Sequence, residues 1–535
     1  MKVSSQHYHL LDSPSHPLFT SIDLHFRALN STSPSYKSQL VDMDKATLLK
    51  PTLHIEVQLK AESDANAAVQ ATEAVLACLR SNYSALFVGS IITGHDSPHI
   101  ERATAADYTG PTVPGGICRV HETGLDVQTY SLKTTGQKST SRRKSNHNEA
   151  EDGQTAVNQA RILPLPNTEL VGEWDSLIYE DALPSKLLRC LVRMLGVMKQ
   201  PGLNLSTFNW NRLCLLHGPP GSGKSTLCRA LAQKLSIRLS KTFSSALLVE
   251  VNTNAMLSKY FGESGKLISQ LFDSVVEMAR PSSTLVVVVI DEIETIAGSR
   301  QKSTDGDECS DGLRATNQLL TALDKLRLSP NILVLCTSNL IGAIDPAFLD
   351  RVDIKQLIPS PSPEAIYNIF RSCLNELVRA SLIDMAATDS APRSAVVSAT
   401  PSTVTSHSDP SVEESAPKRR AVTRSKAKQP AQTAPINQAP ETPRASSPQP
   451  SSPWTILEPV TVPTFEDMTF LDADSPDSPG RLVWALAQKC EGFSGRTLRR
   501  LPILGLAMHT WGGDCSLIDA IAALAAAIEQ ELKTK

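Results

Sequence analysis

No Cys-X-X-Cys pair occurs in this chain of 535 residues, although ten cysteines are scattered along it from Cys78 to Cys515. That excludes the usual zinc and dithiol-redox arrangements, which need two thiolates within a turn of each other. Several of the ten stand inside apolar runs, as Cys336 does in Ile332–Cys336, where a reduced thiol packs as a small hydrophobe in a cytosolic or nuclear protein. Charge of one sign is also scarce. The formal net charge is −3, so no whole-chain field points to nucleic acid or to an anionic membrane. Long apolar runs are missing too: stretches such as Leu285–Ile290 fall far short of the ~20 residues that span a bilayer. The opening segment MKVSSQHYHLLDS lacks the basic-then-apolar order of a secretory leader. The expectation is a soluble intracellular protein.

The length is enough for two or three domains. Up to residue 160 the pattern is mixed. Leu53–Leu59 alternates apolar and polar residues as a half-buried strand does, Ala65–Leu79 has helical spacing, and Leu86–Val88 with Ile91-Ile92 reads as another short strand. This predicts a small α+β domain over 1–160, ending in a polar linker near 133–153. Over 161–360 short runs of Val, Ile and Leu alternate with amphipathic segments, the sign of a parallel sheet with crossover helices. The strand candidates are Leu213–Leu216, Leu247–Val251, Val286–Ile290 and Ile332–Cys336. Over 361–535 helices are expected at Ala365–Leu382, Pro479–Cys490, Gly495–Leu506 and Leu517–Leu532. An insertion near 388–453, dense in Ser, Thr, Pro, Ala and Gln, has too little apolar surface to offset its chain entropy and is expected to be disordered. Such a surface insertion is tolerated because closure entropy grows slowly with length.

The chemistry is concentrated in the middle third. Gly218-Pro219-Pro220-Gly221-Ser222-Gly223-Lys224-Ser225 follows a strand and precedes a helix opened by Thr226, the setting a phosphate-binding loop requires. Glycines let backbone N–H groups turn inward around phosphates, and the helix N-terminus adds positive potential at the same place. Lys224 is expected to reach the β- and γ-phosphates, and the Ser225 hydroxyl to ligate Mg²⁺. The strand Leu285–Ile290 ends in Asp291-Glu292, which places two acids at the carboxyl edge of the sheet. Asp291 is expected to hold Mg²⁺ and Glu292 to polarise the attacking water, a role worth about 10²–10⁴ in rate. An isolated Asp-Glu would equally suit a solvated turn; the phosphate loop upstream argues otherwise. The strand at 331–336 runs into Thr337-Ser338-Asn339, and Asn339 is either a γ-phosphate sensor or a turn residue.

These elements, with Gly495-Arg496, resemble the AAA+ ATPases. The resemblance implies an α/β large subdomain with a parallel sheet, a helical lid, and a hexameric ring with ATP between neighbouring subunits. It implies that Arg496 in Gly492-Phe493-Ser494-Gly495-Arg496 reads the γ-phosphate. Arg351, in Asp345–Arg351, becomes the arginine finger, an effect worth about 10³–10⁵ in rate. That segment is shortened and lacks the paired arginines of many relatives, so Arg314 stands as a second candidate. Ser258–Lys266 resembles the pore loop of polypeptide-threading members, with Lys259, Tyr260, Phe261 and Gly262 as substrate contacts and Tyr260 as the gripping residue. Ser303–Asp311 is the candidate second loop.

Closer similarity lies in Glu173–Tyr179, Asn209–Leu213, Ser264–Leu267, Asp353–Gln356 and Ser494–Pro502, which look like the pachytene checkpoint protein 2 family, including its animal thyroid-receptor-interacting homologue. That resemblance implies a homohexamer that uses ATP and Mg²⁺ to unfold part of HORMA-domain proteins, with or without an adaptor, in meiotic and spindle-checkpoint control. It implies a nuclear location on meiotic chromosomes, with cytoplasm and kinetochores as further sites, no membrane, and no direct nucleic-acid binding. The insertion carries a basic run, Lys418–Lys428, which suits an import signal, a nucleic-acid contact or a merely solvated segment. Thr442-Pro443 and Ser447-Pro448 suit proline-directed phosphorylation.

Overall fold

The computed structural model describes residues 50–61, 63–110, 117–135, 160–179, 182–200, 207, 210–253, 256, 264–298, 308–384, 462–471, 477–510 and 515–534. The expected linker beyond residue 135, the 388–453 insertion with its basic run, the pore-loop residues Lys259–Gly262 and residues 303–307 lie outside that set. The chain divides into two compact units, 1–365 with 492–497, and 366–491 with 498–535.

The first unit begins with β1 (Thr52–Leu59), α1 (Ala65–Asn82), β2 (Ala85–Phe87), β3 (Ile100–Tyr108), β4 (Ile117–Arg119) and β5 (Gly124–Ser131). The strand β1 lies between β3, antiparallel, and β5, parallel, while β2 and β4 pair with each other. The expected strand at 86–92 is shorter than its apolar residues suggest. A turn with Gly89 at φ 96° and a Ser90 N–H bond to the Phe87 carbonyl ends β2, and Ile91 forms only an isolated bridge to Thr104. Leu53, Ile55, Val57 and Leu59 pack with Ala71, Val75 and Leu79 of α1 in the core of this part.

The strand β6 (Ala160–Leu165) leads into a second sheet. After it come α2 (Leu183–Met198), β7 (Leu213–His217), α3 (Lys224–Arg238), β8 (Ser245–Val251), α4 (Ser264–Met278), β9 (Thr284–Ile290), α5 (Glu308–Leu326), β10 (Ile332–Ser338), α6 (Pro346–Asp350) and β11 (Ile354–Leu357). The sheet order is β11-β7-β10-β9-β8-β6, parallel except for the antiparallel edge strand β6. Every residue of β9 and β10 is buried. One face of the sheet packs against α2 and α3, the other against α4 and α5. Continuous apolar strands are what this double cover demands.

One buried charge organises the end of the sheet. Arg212, 1 % exposed and at φ 56°, donates to the carbonyls of Ile332 and Leu326, each at 2.9 Å. Burial lowers its pKa, and Asp353 opposes that shift. Asp353 in turn accepts the N–H groups of Asn211 and Leu213.

The two folded parts of this unit meet across ions. Lys234 and Arg238, late in α3, reach strand residues that point away from the α1 side. Lys234 Nζ lies 2.6 Å from Glu56 Oε2, and Arg238 lies 3.7 Å from Glu56 and 3.6 Å from Asp107. Arg189 of α2 grips the same Asp107 with two hydrogen bonds. His54 and Lys241 share Asp126. Glu56, Asp107 and Arg238 have side chains only 3–4 % exposed.

The second unit is helical: most of α7 (Pro363–Arg379), then α8 (Phe465–Leu471), α9 (Pro479–Lys489), α10 (Gly495–His509) from Leu498 onward, and α11 (Leu517–Thr534). The helix α7 stops short of the expected Leu382, and just beyond it Ser381 takes φ 57°. Tyr367, Phe465 and Trp484 form an aromatic cluster, and Tyr367 donates to the Pro463 carbonyl at 2.9 Å. In α10, Gly505 lies so close to α11 that a Cβ there would sit 2.9 Å from the Ala523 carbonyl oxygen. No helix among the described residues is long and apolar enough to cross a membrane.

The candidate nucleotide site

The central strands β7, β9 and β10 run parallel and in step, with Cys336 level with both Leu215 and Ile290. Their carboxyl ends therefore deliver the phosphate loop, the two acids and Asn339 to one edge, the usual ligand crevice of such sheets. The loop turns where side chains would not fit. Gly218 has φ 149°, and a Cβ there would stand 2.1 Å from the Ile358 carbonyl oxygen. Gly221 has φ 74°, and its Cβ would meet Ser494 at 2.8 Å. The segment 492–497, part of this same unit, thus closes over the loop, with Gly495 near the Gly221 carbonyl and Arg496 exposed beside it. Pro219 and Pro220 stand exposed on the loop crown, Ser222 is buried, and Gly223 leads into α3.

Lys224 and Ser225 begin α3, where unpaired N–H groups carry positive partial charge. Lys224 is 6 % exposed, and its ammonium donates to the carbonyls of Gly218 at 2.9 Å and Pro219 at 2.7 Å. Burial pushes its pKa down; Asp291, then Glu294 and Glu292, pull it back. His217, at the end of β7, is lowered by burial and by Lys224. The Ser225 hydroxyl donates to Asp291 Oδ1 at 2.7 Å. A hydroxyl and a carboxylate converging beside a glycine-rich loop is an oxygen donor set suited to Mg²⁺ and to a phosphate chain. Thr226 follows on the same helix turn.

Glu292 takes φ 52° and is exposed beyond the strand end. Its N–H donates to Thr337 Oγ1 at 3.1 Å, and Thr337 hydrogen-bonds Asp291. The Asn339 N–H donates to Glu294 Oε1 at 2.9 Å. Tyr179 covers the loop from the other side, its hydroxyl 3.3 Å from the Ser222 carbonyl. Thr337, Glu294, Tyr179 and Ser494 were not singled out as site residues from the sequence. The signal for Thr337 was its place at the end of a central strand beside Asn339, and for Glu294 its place two residues after Glu292.

The structure thus gathers residues 218–226, Asp291, Glu292, Asn339 and Arg496 at one edge. Arg351 is elsewhere engaged: its guanidinium makes a two-pronged pair with Asp324 of α5, each bond 2.9 Å, and donates to the Ala347 carbonyl. Arg314 is exposed on α5.

Residues 214–360 match the family model for the ATPase family associated with various cellular activities (AAA). Residues 455–532 match the TRIP13-like AAA+ ATPase lid C-terminal domain, and 48–135 the TRIP13 N-terminal domain. A pachytene checkpoint protein 2 homolog of Danio rerio is 36 % identical over 348 residues, covering 64 % of this chain and 78 % of the relative. The chain belongs to the pachytene checkpoint protein 2 family. Its homolog in Oryza sativa subsp. indica is 48 % identical over 219 residues, 41 % of this chain and 46 % of the relative. Against that relative and the one in Arabidopsis thaliana, the chain spans about half their length. The solved structure of C. elegans PCH-2 superposes with a TM-score of 0.61 at 22 % identity, over 90 % of this chain and 99 % of that one, a likeness of fold. Family and fold class are those expected from the sequence: a parallel-sheet AAA+ module with a helical lid and an N-terminal α+β part. Apart from Arg496, the edge described above lies within the residues that match the AAA model.

Proposed function

We propose that this chain hydrolyses ATP and uses the energy to unfold part of HORMA-domain proteins. The observation that carries the hydrolysis is the converged donor set, in which Ser225 and Asp291 are hydrogen-bonded at 2.7 Å next to Glu292 and below a loop that needs glycine at 218 and 221. Lys224 and the backbone N–H groups of residues 221–225 hold the β- and γ-phosphates. Mg²⁺, held by Ser225 and Asp291, would supply neutralisation of phosphate charge. Glu292 orients the attacking water and accepts its proton, Asn339 holds the water and γ-phosphate, and Arg496 answers to the γ-phosphate from the 492–497 segment.

In the same proposal six copies form a ring, and Arg351, once freed from Asp324, stabilises charge in a neighbour's site. Arg314 is the alternative. Tyr260 grips the polypeptide. The HORMA substrate is supported by family membership and by the aromatic segment Lys259–Gly262 in the sequence. The pachytene checkpoint in the names of the relatives supports a role in meiosis, and a location on nuclear chromosomes is part of the same proposal.

The experiment is Glu292→Gln. Phosphate release should fall at least 100-fold, in line with removal of a general base, while ATP binding persists. The ATP-loaded variant should then retain HORMA-domain proteins from a meiotic nuclear extract. Unchanged turnover would overturn the role of Glu292; retention of other proteins in place of HORMA proteins would overturn the substrate.

A further inference from the structure

Three hydrogen bonds cross between the ends of β9 and β10 just beyond the last paired residues, one donated from the β9 side and two from the β10 side. Strand β10 reaches over to β9 through Thr337. Its hydroxyl accepts the Glu292 N–H at 3.1 Å and donates to the Asp291 carboxylate. A threonine hydroxyl has one proton to give and lone pairs to receive, so both bonds are satisfied at once. The acceptor side holds Glu292 in a left-handed backbone conformation, φ 52°, which a residue with a Cβ rarely adopts. The segment after β9 reaches back through Glu294, whose Oε1 accepts the Asn339 N–H at 2.9 Å. The other oxygen, Oε2, is buried with no hydrogen-bond partner among the described residues. Thr337 is 1 % exposed, so no water competes for its hydroxyl.

We propose that Thr337 and Glu294 form a reciprocal clamp that fixes the hydrolytic acid and the sensor asparagine in register with each other. Both are positioning residues: Thr337 acts through Asp291 and Glu292, Glu294 through Asn339. The inference rests on the hydrolysis reading above. A rigid clamp matters because a general base works only within hydrogen-bond reach of the proton it takes, and small misplacements lower turnover steeply.

The test uses the full chain, with Mg-ATP turnover, nucleotide affinity and thermal melting measured on each variant. Thr337→Val keeps the shape and deletes the hydroxyl; Thr337→Ser keeps the hydroxyl. Glu294→Ala deletes the acceptor; Glu294→Gln keeps one oxygen to receive the Asn339 N–H. Expected results are a kcat at least tenfold lower for Thr337→Val and Glu294→Ala, nucleotide affinity within threefold of the original, and recovery to within threefold for Thr337→Ser and Glu294→Gln. Wild-type kcat in Thr337→Val overturns the clamp. So does a loss that Thr337→Ser fails to restore, or one matched by an equal loss of nucleotide affinity or folding. An unmodified chain that releases no phosphate would overturn the hydrolysis reading instead, which separates the two failures.

Discussion

The ionic seam between α3 and the N-terminal strands gives a prediction whose size can be worked out. Glu56→Gln keeps the shape of the side chain and removes its charge. It leaves Lys234, 2.6 Å away and 18 % exposed, facing a neutral amide. Breaking a fully buried pair costs about 3–5 kcal/mol, because the survivor stays desolvated. Two features reduce that here. Arg238 keeps Asp107 at 3.6 Å. The partial exposure of Lys234 lets its ammonium lean toward water. The expected loss is therefore ~2–3 kcal/mol. Lys234→Met should lose less, ~1–2 kcal/mol, since Glu56 retains Arg238. The double variant should fall short of the sum by ~1 kcal/mol or more, the coupling of groups in direct contact. Denaturant titration of the four proteins, with hydrogen exchange on β1 and the end of α3, would measure it. Moderate salt should change the coupling little, because a buried pair is poorly screened. Additivity within ~0.5 kcal/mol would refute the reasoning, for it would mean that the pair contributes no more than an exposed one.

Acid should unfold the same seam. For Asp107 burial acts to raise the pKa, but Arg189 and Arg238 prevail and hold it below the usual range. Asp126 is lowered first by its hydrogen bond to His54, then by Lys241. Both folded-state values lie below the unfolded ones, so their stabilisation is complete above about pH 4 and is lost as pH falls through the folded values. Melting temperature should stay level from pH 7 to 5 and drop below 4, and Asp107→Asn should flatten that drop; a level curve down to pH 3 would contradict the assignment. In the helical unit, Gly505→Ala would gain about 1 kcal/mol of helix propensity on an open surface. Here the new methyl would meet the Ala523 carbonyl at 2.9 Å. The net result should be destabilisation of ~1–3 kcal/mol, read from the thermal transition of the full chain.

The parallel core was legible because both its faces are covered. Strands buried on two sides are apolar nearly throughout, and β7, β9 and β10 announce themselves as such runs, with β8 apolar over Ala246–Val249. The phosphate loop and the Asp291-Glu292 pair were legible because each is local. What escaped is non-local or weakly patterned. The strand β3 reads IERATAADY, with small and polar residues at nearly every position, because it is half-buried along its length. The edge strand β6 contains Pro164, a residue tolerated only where the N–H needs no ladder partner. Helix α2 is the exception, a local pattern whose stripe of Leu187, Leu188, Leu191 and Leu195 has helical spacing but carries no motif. The Glu56–Lys234 pair joins residues 178 positions apart, and the Asp107–Arg189 pair residues 82 apart. No single-sequence pattern encodes such partners. In the site itself, Thr337 and Glu294 were in view as letters, but their roles depend on side-chain direction at strand ends, which only the register of β9 against β10 fixes.

Helix α3 begins at Lys224 and ends at Arg238, beside the N-terminal strands. At 1.5 Å per residue that is a beam of about 21 Å, so a tilt of about 5° pivoting at Lys224 swings its far end by about 2 Å. A displacement of that size is comparable with the whole length of the Lys234–Glu56 pair, 2.6 Å. Whenever the loop end of the beam tilts, the N-terminal domain must travel with it or let go of it.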